Sequence, residues 1–293
     1  MEEVFEKVEN ILRNYPSEFS KNYFDNKKTV KIKEEKQVIK NNCGYYDNDK
    51  NEIGYSNFET LPHELFHMAF RCKDNLGNKI AEDIELYYGN GVSFIGYIND
   101  EPQYYHLALT EGFAEYLSRK CSIFKGHAFN YYFTNLLIFI YGEDILKYPF
   151  TNDSIGFFTD KRFYDISEFC HSLDGIENSS DSILLISRLS IFKEILKDNN
   201  HENREDVLKI MGNTMIEYKE SIISAFKCII NEYNNCNNPN IDRETFINKL
   251  NSFLTDKDYI TAFALDDEKM SVKKEVTELI NDFMKTKKLY KQV

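Results

Sequence analysis

Residues 63–67 read His-Glu-Leu-Phe-His. On a helix, positions i and i+4 share a face about one turn apart. His63 and His67 can then bind one metal ion through imidazole nitrogens. Glu64 can take a proton from water that such a metal has made acidic. The chain holds only six histidines. Two of them bracketing a glutamate at metal-ligand spacing are therefore informative.

A third ligand must come from elsewhere. The metzincin continuation needs a glycine at 70 and a histidine at 73, but the sequence has Phe70 and Lys73. The inverted His-x-x-Glu-His order is also absent. Downstream, residues 107–118 read Leu-Ala-Leu-Thr-Glu-Gly-Phe-Ala-Glu-Tyr-Leu-Ser. Glu111 and Glu115 fall one turn apart on a helix and repel unless something positive lies between them. A zinc ion resolves this: Glu111 ligates it, and Glu115 accepts the N–H of a ligating histidine and fixes its tautomer. A solvated acidic face is the plainer alternative. Gly112 disfavours the helix it sits in, which points to close approach of another element.

These groups need elements to hold them. Thr60 is expected to cap a helix with Pro62 in its first turn. A capping box from Ser56 and Glu59 competes with that start. Leu61, Leu65 and Met68 would then face the core while the histidines face a cleft. Glu2–Arg13 has helical spacing. Thr29–Lys33 alternates like a strand, and Val92–Ile98 reads as another. Cys43–Tyr46 and Glu52–Ser56 flank a turn-rich Asp47-Asn48-Asp49-Lys50-Asn51, so a hairpin is expected. That turn opens like an EF-hand loop and then fails, with Glu52 at the glycine position and Phe58 at the bidentate glutamate position. From about residue 128 the spacing becomes helical: Ala128–Lys147, Ser182–Lys197, Arg204–Tyr233, Asp242–Phe253 and Ser271–Lys288. The expected fold class is α+β and mostly helical. A catalytic core at 1–125, with a small sheet and two metal-binding helices, precedes a helical domain at 126–293 that closes the cleft.

Residues 63–67 with 109–116 resemble the gluzincin clan of zinc metallopeptidases. That clan pairs a His-Glu-x-x-His helix with a second helix bearing the third ligand and an acidic residue one turn later. Glu111-Gly112-Phe113-Ala114 is similar to the second-helix motif of the clan's zinc aminopeptidases, and the overall logic is thermolysin-like. The resemblance implies a zincin-like core and a Zn2+ cofactor on His63, His67 and Glu111. It implies Glu64 as base and proton shuttle, and Glu115 as support for a ligating histidine. It departs at Thr110, where Asn is common, and at Glu115, where thermolysin-like enzymes carry Asp. The gap after His67 is long, so residues 72–105 are expected to form an insertion. No Gly-x-Met-Glu-Asn segment is present to hold a free amine, so endopeptidase action is expected over aminopeptidase. The clan also uses a Tyr, His or Arg to stabilise the oxyanion. Tyr131, Tyr132, Tyr141, His127 and His171 are the candidates, and none is assigned.

Composition narrows the partners. The 293 residues carry 36 Lys+Arg and 48 Asp+Glu, a formal charge of −12. That balance argues against general nucleic-acid binding, and the resemblance implies a peptide or protein substrate. With 42% hydrophobic and 15% aromatic residues, the chain can bury a core. Its six cysteines are scattered without a C-x-x-C pair and read as thiols in a reducing compartment. The start of the chain lacks a hydrophobic signal region and no apolar run spans a bilayer, so a cytoplasmic location is expected. Two rival functions stand beside the peptidase: a non-catalytic zinc-stabilised binding protein, and a zinc hydrolase of a non-peptide substrate.

Overall fold

The computed structural model describes residues 1–34, 44–74, 76–81, 84–98, 101–121, 126–188, 194–195, 197–198, 201–236, 241–256 and 266–286. It is α+β and mostly helical, as expected, with one three-stranded and one four-stranded sheet among the described residues. The chain divides into two compact units, Met1–Lys161 and Arg162–Val293. The expected boundary at 125/126 falls inside the first unit. The reason lies in packing: helix α5 (Ala128–Tyr141) lies against α4 (Leu107–Ser118).

In the first unit, α1 (Glu2–Leu12) and α2 (Ser17–Lys27) precede β1 (Lys31–Glu34). β2 (Gly44–Asp47) and β3 (Glu52–Tyr55) form the expected hairpin, and Cys43 lies outside the described residues. The Asp47 carboxylate accepts the N–H groups of Asp49 and Lys50 and closes a polar turn. β1 joins β3 in parallel, giving the order β1-β3-β2 with β2 at an edge.

Helix α3 (Leu61–Phe70) follows a short 3-10 turn at Phe58–Thr60. Thr60 precedes the helix as expected, but its hydroxyl donates backwards to the Asn57 carbonyl at 2.7 Å and caps nothing in α3. The 3-10 turn takes the cap instead, with the Asn57 side chain accepting Glu59 N–H. Every residue of α3 is buried, which matches its apolar sequence. α2, which the apolar pattern does not announce, holds its far end. Asn26 Nδ2 donates to the Met68 carbonyl at 3.0 Å and the Arg71 carbonyl at 2.8 Å, satisfying acceptors that a helix C-terminus leaves open.

Between α3 and α4, segment 72–105 carries an antiparallel sheet: β4 (Lys79–Ala81), β5 (Ile84–Tyr88), β6 (Phe94–Ile98) and β7 (Glu101–Tyr105), in that order. β6 is the expected strand; the other three were not foreseen. After α5, two short helices, α6 (Lys147–Thr151) and α7 (Ser154–Thr159), finish the unit.

The second unit is helical, as its spacing suggests, with long helices at Ile166–Arg188 and Arg204–Asn235 lying side by side. Phe169, Leu173, Ile222, Phe226 and Ile229 are buried there. Arg243–Thr255 and Asp266–Thr286 follow. Buried Glu232 accepts the N–H groups of Tyr164 and Asp165 at 2.9 and 2.7 Å, an anionic cap on the Ile166–Arg188 helix. Among the described residues no helix is long and apolar enough to cross a membrane.

Candidate metal centre

His63 and His67 stand one turn apart on α3, and their Nε2 atoms are 3.0 Å apart. Glu111, from α4, completes the triangle. Its Oε2 lies 3.0 Å from His63 Nε2 and 3.1 Å from His67 Nε2. Helix α4 also packs against α5, through a missing side chain. A Cβ on Gly112 would strike the Thr134 hydroxyl and stand 2.7 Å from the Asn130 carbonyl, so glycine lets α5 close on α4. The close approach expected at Gly112 is thus present.

The triangle suits a cation. With both imidazoles neutral and their lone pairs turned inward, three acceptor atoms at these separations repel unless a positive charge lies among them. Ligands at 2.0–2.1 Å from a tetrahedral metal sit about 3.3 Å from one another, close to the spacings here. The structure brings His63, His67 and Glu111 together.

Glu115 is fully buried, and its Oε2 lies 3.2 Å from His63 Nδ1, off the straight hydrogen-bond line. Its other oxygen accepts Arg119 Nε at 2.7 Å. The carboxylate thus turns one face to the back of the histidine and is anchored on the other. The solvated acidic face is ruled out for Glu115 by its burial.

Glu64 is buried beside the triangle. Burial raises its carboxyl pKa, with nearby His63 and His67 pulling the other way. Above it runs β2. A Cβ on Gly44 would stand 2.8 Å from Glu64 Oε1 and 2.9 Å from Thr60 Oγ1, so glycine keeps the carboxylate's space open.

A short loop ties the two helices. Asn90 Nδ2 donates to the His67 carbonyl at 3.1 Å. Thr110 Oγ1 accepts Val92 N–H at 3.2 Å and donates to the Asn90 carbonyl at 3.3 Å. Thr110 is buried and anchors this loop.

Of the oxyanion candidates, His127 reaches the centre. Its Nε2 is 3.4 Å from Glu111 Oε2, and its ring stacks on His63. His63, Glu111 and His127 form a group able to hold a metal ion. Tyr131 lies under the Arg119 guanidinium, 3.7 Å from centroid to cation. Tyr132 packs edge-on with Phe133 in the core, Tyr141 ends α5, and His171 belongs to the second unit. Arg119 went unforeseen. Its spacing one turn after Glu115 was the available signal.

The described cysteines, Cys72, Cys121, Cys170, Cys228 and Cys236, are free thiols. No protein-family model, curated protein or solved structure matches the chain.

Proposed function

We propose that the chain is a zinc-dependent metallopeptidase that cleaves peptide bonds, as an endopeptidase rather than an aminopeptidase. The single observation that carries this is the convergence of His63, His67 and Glu111 with Glu64 beside them. Zinc is the metal of choice for two imidazoles and a carboxylate, and the three-stranded sheet with α3 and α4 would be its zincin-like core. When bound, it supplies Lewis acidity to the scissile carbonyl and to water. The chain's own residues do the rest. Glu64 takes the proton from water and passes it to the leaving amine nitrogen. Glu115 and Arg119 hold the His63 ring in one orientation. The acidic net charge favours a peptide partner over nucleic acid.

The test is Glu64→Gln, assayed against peptide libraries alongside small esters and amides. The variant should keep stoichiometric zinc and lose hydrolysis by at least about a hundredfold. Full activity in Glu64→Gln would sink the mechanism. Hydrolysis of esters but not peptides would favour the non-peptide hydrolase.

A second function is favoured by His127, which stands close enough to close the coordination sphere. Structural zinc sites are closed, so a zinc-stabilised binding protein is the rival. Stoichiometric zinc with no hydrolysis of any substrate class would favour it.

A further inference from the structure

We infer that His127 is a displaceable fourth ligand, whose imidazole closes the position that a substrate carbonyl or water must occupy. This rests on the metal centre proposed above. The His127 ring lies face to face on His63, with centroids 5.3 Å apart and planes at 13°. Its Nε2 is 3.4 Å from Glu111 Oε2, the same oxygen that meets His63 and His67. The ligand atoms of His63, Glu111 and His127 all lie within 4.8 Å of one another. An ion on this carboxylate therefore has a further nitrogen within reach.

Three protein ligands leave a tetrahedral position open, and four leave none. The histidines differ in how firmly they are held. The side chains of His63 and His67 are 7% and 8% exposed, whereas that of His127 is 32% exposed. His63 and His67 rise from the wholly buried α3. His127 sits just before α5, in a segment whose backbone is tied on both sides. Arg119 Nη2 donates to the Gly126 carbonyl at 3.1 Å, and Tyr131 N–H donates to the His127 carbonyl at 2.9 Å. With the backbone so tied, departure of the imidazole would proceed by side-chain rotation. With a metal bound, His127 Nε2 would leave it as an oxygen donor takes its place, and no other bond would change. The resting centre is then closed, and a peptide carbonyl opens it by competing for the same position.

The test uses the full chain loaded with cobalt(II), in wild type, His127→Ala and His127→Gln, with visible spectra and azide titrations. Each protein should load cobalt stoichiometrically. Both variants should show shifted d–d bands and bind azide at least about tenfold more tightly, because an open position replaces an imidazole. X-ray absorption of the zinc-loaded wild type reads the same point without any variant, with three imidazoles expected and two overturning the inference. Identical bands and azide affinities in all three proteins would overturn the role of His127 while leaving the His63, His67 and Glu111 centre intact. No stoichiometric cobalt in any of them would overturn the centre and the inference together.

Discussion

Glu115 Oε2 stands 3.2 Å from His63 Nδ1, so a fully buried carboxylate backs the ring whose other nitrogen faces Glu111. Two acidic residues one turn apart on α4 thus serve opposite sides of one imidazole. Glu115→Gln removes the charge that favours the Nδ1–H tautomer. Zinc affinity should fall about 10–100-fold, measured by chelator competition. Unchanged affinity would show that Glu115 does not support the ligand. Arg119→Ala should cost about 3 kcal/mol in denaturant unfolding, since it strips one partner from a buried charge.

The metal-free protein should show a bell-shaped dependence of stability on pH. Burial alone would lower the His63 pKa, but the Glu111 and Glu115 carboxylates beside its two nitrogens outweigh that and hold it well above 6.5. Burial pushes the Glu111 carboxyl up. The charges of His67 and His127, with bonds from His63 and His67, bring it well below 4.5. The Glu111 contribution is present above 4.5 and is lost as pH falls through its depressed value. The His63 contribution is present below 6.5 and is lost as pH rises through its raised value. Thermal melts in chelator should therefore peak between those two values. Excess zinc should move the peak upward, because the metal needs a neutral imidazole. A melting temperature in chelator that is flat across this range would contradict the ion-pair account.

Gly44→Ala places a methyl group 2.8 Å from Glu64 Oε1. The carboxylate or strand β2 must shift. Hydrolysis should fall at least about tenfold, while zinc content stays stoichiometric, because a small displacement of the base is costly to the rate. Loss of zinc in this variant would instead place Gly44 in the support of the metal site.

Gly112→Ala drives a Cβ against Thr134 and the Asn130 carbonyl, which is backbone and yields little. Overpacking should destabilise the fold by about 1–3 kcal/mol in denaturant unfolding. A stabilised variant, as helix propensity alone would give, would mean that α4 and α5 are not in close contact.

The sequence by itself determined what a single helix turn can determine. The spacing of His63 and His67 puts their rings on one face of α3 wherever that helix sits, and the spacing of Glu111 and Glu115 does the same on α4. The strands near 31, 44 and 52 and the helical second half were legible for the same reason, through periods of two and of 3.6 residues. Tertiary structure decided everything that depends on another segment arriving. Asn26 is buried because α3 ends beside it, so α2 shows little apolar periodicity. β7 is exposed along its whole length, so it lacks the alternation that marks a half-buried strand. The expected boundary at 125/126 falls inside the first unit, where α5 packs back onto α4 beside Gly112. Among five oxyanion candidates only geometry could single out His127, since distance along a chain says nothing about distance to a metal.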